Sequence, residues 1–250
     1  MKWFAFFFLL LFSNAALADD LVAGLSQDQV EITSNYTGTD MVVFGAIENS
    51  ENAADTARDV VVVVRGPNAD MSVRRKARVA GLWINRDEMT LSGMPAYYFV
   101  ASTRPLKDVA SKETLLRYEI GLDNLQPQDV NTHSPAKAVP FIKAAIRERE
   151  KERLYAELPQ GVEFLSYSLF RVRVPMPADV PRGQYTAEVY LFRDGAVMSA
   201  QSTPLFVNQI GLERRLRNFA QSWPVAYGLS AVFLAIAMGW MSSLMFRLRL

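Results

Sequence analysis

Cysteine is missing from this chain of 250 residues, and histidine occurs once, at position 133. Without cysteine the chain can have no disulfide bond, no catalytic thiol, no thiolate metal site and no acylated lipoprotein cysteine. His133 lies in a polar stretch, and a single histidine cannot make a zinc site. A folded domain of this chain must therefore depend on its hydrophobic core.

An excess of charge of either sign is also missing. The chain has 27 basic and 26 acidic residues, and loss of Lys2 with a leader peptide would leave 26 of each. Such a balance does not form the basic footprint of a protein that binds nucleic acid. The glycine-rich phosphate motifs G-x-G-x-x-G and G-x-x-x-x-G-K are absent as well, so nucleotide binding has no support.

One short match to a catalytic motif occurs at residues 134–137, where Ser134 and Lys137 have the S-x-x-K spacing of penicillin-recognising enzymes. The S-D-N and K-T-G segments that accompany this motif are absent from the sequence. The pair Ser134-Pro135 is also typical of a helix start, which is the interpretation we prefer. We predict a protein that is not an enzyme, with no catalytic residue, no metal ligand and no cofactor.

Residues 1–18 have the three parts of a cleavable signal peptide. Lys2 provides the positive charge, Phe4–Phe12 form the uncharged apolar stretch, and Ala16-Leu17-Ala18 has the small-x-small pattern of a cleavage site. An uncleaved anchor helix is the alternative, but the apolar stretch is much shorter than the roughly 20 residues that a spanning helix needs. We expect Asp19 to be the mature N-terminus.

The other end of the chain has a different apolar segment. Val225–Phe246 contains 22 residues and no charge, and at about 1.5 Å per residue a helix of this length crosses a hydrocarbon core. Trp223 and Tyr227 lie where an interfacial aromatic belt would be, and Arg247 follows the apolar stretch. These features predict a transmembrane helix at 223–246 and a tail at 247–250.

The two ends together predict the orientation of the chain. A cleaved signal peptide leaves the bulk of the chain outside the cytoplasm and the C-terminal tail inside. Arg214, Arg215 and Arg217 precede the span on its outer side, against the positive-inside tendency. We interpret residues 211–222 as an amphipathic juxtamembrane helix with its arginines among lipid phosphates, and a plain extension of the span is the alternative.

Residues 19–210 form the predicted exported domain, and their pattern is mostly that of β-strands. Five consecutive valines between Asp59 and Arg65 are typical of a central strand that is buried on both faces. Leu169–Val174 alternates between apolar and basic residues, and Asp194-Gly195 is a hairpin signal. Seven to nine short strands, with the P-x-G-x-Y pattern that begins at Pro181, predict an immunoglobulin-like β-sandwich.

A helical hairpin is predicted as an insertion in this sandwich, at about residues 105–158. Leu106–Leu122 and Pro140–Leu158 have apolar residues at helical spacing. Arg147–Arg153 is wholly charged with mixed signs, which favours a solvated helix face over a charged tail.

Two groups of residues are candidates for recognition. Arg74, Lys76 and Arg78 alternate along a predicted strand and would lie on one face; we call them the cation stripe. The stripe could bind an anion or an acidic partner, and a solvated strand face is the alternative. Within the predicted span, small residues recur at four-residue spacing and could let another helix approach closely. This small-residue ladder consists of Ala231, Ala235, Gly239 and Ser243.

Three segments resemble an alphaproteobacterial family of predicted transmembrane proteins of unknown function. These segments are Ser72–Asn85 (SVRRKARVAGLWIN), the VYLFRDG hairpin at 189–195, and the pairs Tyr227-Gly228 and Gly239-Trp240 in the span. The resemblance extends over essentially the whole mature chain. It implies a bacterial envelope protein with a periplasmic domain and a single-pass anchor in the inner membrane, and it implies no activity.

Taken together, these patterns predict a non-enzymatic, membrane-anchored periplasmic protein that acts as a binding or accessory module. Its expected partners are the lipid bilayer and another inner-membrane protein. One alternative, which comes from the resemblance, is an accessory subunit of a TauE/SafE-type exporter of sulfite or another anion. The other alternative is a stand-alone envelope protein that binds a ligand.

Overall fold

A computed structural model describes residues 21–33, 36–47, 58–79, 81–130, 135–209 and 219–247. The described residues are mainly β-structure. Their strands are β1 Leu21–Leu25, β2 Gln29–Ile32, β3 Gly38–Ile47, β4 Arg58–Arg65, β5 Asn68–Val79, β6 Leu82–Pro95, β7 Tyr98–Ser102, β8 Asp129–Val130, β9 Tyr155–Pro159, β10 Val162–Phe164, β11 Leu169–Pro177, β12 Gly183–Arg193 and β13 Ala196–Gln209. The helices are α1 Leu106–Val109, α2 Lys112–Arg117, a 3-10 helix at Leu122–Asn124, α3 Pro135–Lys151 and α4 Pro224–Arg247.

The chain divides into two compact units. The first consists of residues 1–29 and 37–206, and the second of residues 30–36 and 207–250. The strands form three sheets, with the orders β1-β3-β11-β10, β2-β13-β12-β4-β7-β9 and β5-β6-β8. Several of the thirteen strands are only two to five residues long, which is why the turn pattern of the sequence indicated fewer of them.

Strand β4 is the centre of the six-stranded sheet. It pairs in antiparallel fashion with β12 on one side and with β7 on the other, so that Val62 lies between Val189 and Ala101. The side chains of all five valines are fully buried. Because both faces of the strand are covered, its apolar residues follow one another without alternation. The prediction of a central strand at this position is confirmed.

The four-stranded sheet has one buried face. Strand β11 lies between β3 and β10 and is antiparallel to both. Phe170, Val172 and Val174 are buried, whereas Arg171 and Arg173, which alternate with them, point to the other side. This is the alternation that the sequence of β11 predicts.

The turn between β12 and β13 also has the predicted geometry. Asp194 has a φ of 51° and Gly195 a φ of 79°. Positive φ at both central residues is the signature of a type I′ turn, whose twist matches that of the flanking strands. Asp-Gly is the pair that this turn favours.

Tyr185 makes the contact that gives the P-x-G-x-Y segment its physical role. Its phenol Oη donates a hydrogen bond to the backbone carbonyl of Pro181, four residues upstream. Gly183 between them has a φ of 143°, and a Cβ there would come within 2.9 Å of the Pro67 ring. The Tyr185 ring packs beside that of Tyr97, whose Oη donates to the carbonyl of Pro175 in β11 at 2.6 Å.

The predicted helical hairpin is wrong in its details. Instead of one helix, Leu106–Leu122 forms α1, α2 and the start of the 3-10 helix. The side chain of Ser111 accepts a hydrogen bond from the backbone amide of Thr114 and begins a new helix there. Positive φ values at Glu119 and Gly121 then separate α2 from the 3-10 helix.

The second predicted helix is shifted and shortened. Helix α3 begins at Pro135 and ends at Lys151, and Tyr155–Pro159 forms strand β9, parallel to β7. Arg153, with a φ of 60°, turns the chain out of the helix. The backbone groups of β9 are paired with the edge of the six-stranded sheet, a long-range contact that outweighs the helical preference of this segment.

Helix α4, in the second unit, is the one helix of the described residues that is long and apolar enough to cross a membrane. Pro224–Ser242 has a mean hydropathy of 1.6, and none of it is buried. A helix that exposes apolar side chains all around is typical of a membrane span. Its bounds agree with the predicted span to within one residue at each end.

The Tyr185 hydrogen bond can be tested by removing one atom. We expect Tyr185→Phe to lower the free energy of unfolding by about 1–3 kcal/mol, because the Pro181 carbonyl loses its donor while the ring stays in place. Denaturant unfolding of the detergent-solubilised chain measures this difference. Tyr167→Phe is the matched control, since Tyr167 is 91% exposed, and an equal loss in both variants would contradict the role of Tyr185.

Candidate functional site

The cation stripe lies on the long hairpin of β5 and β6. In the register of this hairpin Arg74 is opposite Glu88, and Arg75 is opposite Asp87. The next residue, Lys76, is opposite Asn85. The pairing therefore shifts by one residue after Arg75, and Arg86 is the extra residue of a β-bulge. The bulge divides the stripe into a part near the body of the domain and a part near the hairpin turn.

The first cation of the stripe is neutralised by its neighbour across the strands. Arg74 Nε lies 3.3 Å from Glu88 Oε2, and Ser72 Oγ donates to Glu88 Oε1 at 2.6 Å. The hydrogen bond from Ser72, and then those from Arg74, lower the pKa of the Glu88 carboxyl. Arg74 is therefore part of an exposed ion pair, and an anion would have to compete with Glu88 for it.

Arg75, which was not among the residues predicted from the sequence, also forms an ion pair across the two strands. Its guanidinium forms an ion pair with Asp87, and its Cζ lies 5.7 Å from the centre of the Phe141 ring on α3. The contact with the ring is a cation–π interaction that attaches the hairpin to the helix. The two remaining cations of the stripe, Lys76 and Arg78, are exposed beyond the bulge.

A groove of about 480 Å³ runs between β5 and α3. Its charged lining residues are Asp70, Arg74, Arg147, Glu148, Arg149 and Glu152. Arg149 Nη1 lies 2.9 Å from Glu152 Oε2, and Lys151 Nζ lies 2.8 Å from Glu148 Oε1. These pairs have i,i+3 spacing on an exposed surface, so this part of α3 has the mixed charge of a solvated helix face.

The small-residue ladder lies on α4. Ala231, Ala235 and Gly239 repeat every four residues and so fall along one side of the helix. A Cβ added at Gly239 would meet no atom within 4 Å. Ser243 lies within the bounds of α4, and its side chain lies outside the described residues.

Some of the predicted sites cannot be placed. Arg214, Arg215 and Arg217 of the juxtamembrane segment lie outside the described residues, and so do His133 and Ser134. Among the residues that the structure does describe, no group of three or more histidine, aspartate and glutamate side chains could hold a metal ion.

Sequence reasoning missed a partly buried polar cluster around Arg65, at the end of β4. Arg65 Nε donates to Glu188 Oε2 of β12 at 3.1 Å, and Arg65 Nη2 donates to the carbonyl oxygen of Tyr118 at 2.8 Å. The guanidinium also lies over the ring of Tyr98, with its Cζ 5.4 Å from the ring centre. One side chain thus joins β4, β12, β7 and the segment that follows α2.

Two tyrosines complete this cluster. Tyr98 Oη donates to the carbonyl of Glu119 at 3.0 Å and accepts from the amide of Gly121 at 2.9 Å. Tyr190 Oη donates to Glu188 Oε2 at 3.1 Å. Burial raises the pKa of both phenols, and that of Tyr190 rises to about 12. Through these contacts the cluster joins the segment after α2 to the six-stranded sheet.

A buried charge lies at the other end of β4. Asp59 is 4% exposed, accepts a hydrogen bond from Thr103 Oγ1 at 2.7 Å, and forms an ion pair with Arg104. Both oxygens of this carboxylate have donors, which is how a buried charge is normally accommodated. These contacts position the chain between β7 and α1, and they give Asp59 a structural role.

A comparison with known protein families gives a match over most of the chain. The family model described as "Putative transmembrane protein (Alph_Pro_TM)" matches residues 20–248. The chain therefore belongs to this family, as the resemblance of its sequence indicated. No curated protein matches the chain. The family description and the apolar helix α4 together indicate association with a membrane.

The cluster around Arg65 predicts how stability depends on alkaline pH. The pKa of Tyr190 is about 12 in the folded chain and about 10 in an unfolded one. Above pH 10 the unfolded chain releases this proton before the folded chain does, so the free energy of unfolding falls as the pH rises. We expect Tyr190→Phe to make the fall between pH 10 and 12 shallower.

Denaturant unfolding at a series of pH values measures this effect. Tyr167→Phe changes an exposed tyrosine. The free energy of unfolding of this variant should fall with pH at the same slope as that of the unchanged chain. An identical slope for Tyr190→Phe and for the unchanged chain would contradict the buried position of the Tyr190 phenol.

Proposed function

We propose that this member of the transmembrane family is a non-enzymatic accessory protein, anchored in the inner membrane by α4, with its β-domain in the periplasm. The observation that carries the proposal is the contrast between the two units. The first has a well-buried core of its own, whereas the described part of α4 buries none of its apolar window. A helix of this kind needs a bilayer, or another helix within it, to cover its surface.

The proposed orientation of the chain in the membrane follows from the predicted signal peptide at residues 1–18. A signal peptide that is cleaved after Ala18 would send the β-domain through the membrane, and α4 would then stop the transfer. The short tail after Arg247 would remain in the cytoplasm. Seven ion pairs among the described side chains between residues 65 and 188 have both partners partly exposed, as suits an aqueous compartment.

We further propose that the two larger sheets form an immunoglobulin-like sandwich. The hydrogen bond from Tyr185 to the Pro181 carbonyl supports this, because such a tyrosine corner is a hallmark of that architecture. The hydrogen bond from Tyr97 to Pro175 supports it as well, since it links the start of β7 to a strand of the other sheet.

The accessory role would depend on the small-residue ladder. Ala231, Ala235 and Gly239 leave a shallow strip along α4 where the backbone of another helix could come close. Close approach brings more atoms into contact, and lipid tails cannot fill such a strip as well as a helix with a complementary surface can. A helix of another inner-membrane protein is the occupant that we propose, and a transporter of an anion is one form that this partner could take.

A matched pair of substitutions tests the association. Ala235→Ile places a branched side chain on the ladder, whereas Ala237→Ile makes the same change two residues further on, about 200° around the helix. We expect the ladder variant to lose at least about tenfold in crosslinked partner, because the two backbones can no longer approach. Gly239→Ile should behave like Ala235→Ile.

The measurement is crosslinking in native membranes followed by affinity purification of the full chain. The variant Ala237→Ile is the control for insertion and abundance. Equal recovery of partner from all three variants would rule out the ladder as the contact surface and would favour a protein that acts alone.

A further inference from the structure

The hairpin of β5 and β6 separates its charges along its length. Its three carboxylates, Asp70, Asp87 and Glu88, all lie on the body side of the bulge. Beyond the bulge, residues 76–86 contain three cations and no acid. We call residues 76–86 the hairpin tip. The cations near the body are therefore neutralised within the hairpin. Those of the hairpin tip, Lys76, Arg78 and Arg86, are exposed, and none of them lies opposite a carboxylate in the hairpin register.

The end of the hairpin tip is apolar. Residues 79–84 read VAGLWI and carry no charge. Leu82 is 70% exposed and Ile84 45% exposed, so two large aliphatic side chains lie in solvent near the turn. Gly81, at the turn, has a φ of 88°, and a Cβ added there would meet no atom within 4 Å. The apolar side chains of Leu82 and Ile84 at this end of the hairpin are thus not covered by the described part of the domain.

The distance between the cations and the apolar end of the hairpin tip matches the depth of a lipid headgroup layer. Lys76 precedes Val79 by three residues, which is about 10 Å along an extended strand. Apolar groups of interfacial segments enter the boundary of headgroups and acyl chains by about 5–10 Å. With Leu82 at that boundary, Arg78 and Lys76 would lie at the level of the phosphates.

We propose that the hairpin tip docks into an anionic phospholipid leaflet, the outer leaflet of the membrane in which α4 is anchored. The inference rests on the proposed membrane anchorage of the chain and goes beyond it. An anionic surface complements the exposed cations of the hairpin tip, and the leaflet's boundary region takes up Leu82 and Ile84. Trp83, which is opposite Arg78 in the register, is a residue type that is enriched at membrane interfaces.

A bilayer is favoured over a soluble acidic partner because of the tether. Anchorage by α4 confines the domain to the membrane surface, so the hairpin tip meets lipid at a high effective concentration. Even a weak contact between the hairpin tip and lipid is then formed much of the time. A docked hairpin would restrict how the β-domain stands above the membrane and would keep its other surfaces available to a partner.

The absence of cysteine allows a direct test with a single spin label. Leu82→Cys in the full chain is labelled and reconstituted into vesicles of phosphatidylcholine with phosphatidylglycerol, or of phosphatidylcholine alone. In the anionic vesicles we expect the label to be protected from a water-soluble nickel complex and accessible to oxygen. In the neutral vesicles we expect most of this protection to be lost.

Charge variants identify the cause of the protection. Replacement of Lys76, Arg78 and Arg86 by glutamine should lower the ratio of docked to free hairpin tips about fivefold per cation. The matched control replaces Lys107, Lys112 and Lys143, which are exposed elsewhere on the domain, and should leave the protection unchanged. A label at Glu150→Cys, exposed on α3, should stay accessible to the nickel complex throughout.

Three outcomes would overturn the proposal. The first is a label at residue 82 that remains in water in anionic vesicles, and the second is protection that survives loss of all three cations. The third is protection that appears only when other membrane proteins are present, which would make the occupant a protein. A label at Phe233→Cys on α4 reports on the anchor separately: with that label in lipid and the label at 82 in water, the docking fails while the proposed anchorage stands.

Discussion

Both faces of strand β4 are buried, and this constraint determines what the rest of the domain has to provide. An open antiparallel sheet commonly leaves one face to solvent, but five consecutive valines cannot tolerate that arrangement. Apolar side chains from other elements of the domain therefore have to cover β4 on both sides. Arg65 and Asp59, at the two ends of the valines, hold the insertion in register through hydrogen bonds and ion pairs.

The parts of the fold that local sequence could predict are those set by local chemistry. The valines of β4, the alternation of β11, the Asp194-Gly195 turn and the apolar length of α4 each depend on a few adjacent residues. The P-x-G-x-Y pattern belongs with them, since the Tyr185 phenol bonds to a carbonyl only four residues away. In each case the physical reason for the pattern can be read from the segment itself.

Other parts depend on residues that are far apart in the chain. Tyr155–Pro159 pairs with β7, more than fifty residues upstream, and so becomes a strand where helical spacing predicted a helix. The cluster at Arg65 joins four segments, and no one of them shows it alone. The residues of the cation stripe alternate along the sequence of β5, but the pairing with Glu88 and the bulge at Arg86 come from the register of the hairpin. A one-residue shift of register changes which charges face each other.

We propose separate tasks for three parts of the chain: α4 holds the protein in the membrane, the hairpin tip contacts the leaflet, and the β-domain is the part that is exported. All three depend on a single-pass orientation with the domain outside the cytoplasm. Thiol labelling of intact spheroplasts with a membrane-impermeant reagent tests this orientation, applied to Tyr167→Cys in the domain and to Leu250→Cys at the C-terminus. We expect labelling of Tyr167→Cys in intact spheroplasts and of Leu250→Cys only after lysis. Labelling of Leu250→Cys in intact spheroplasts, with Tyr167→Cys protected, would contradict the proposed orientation.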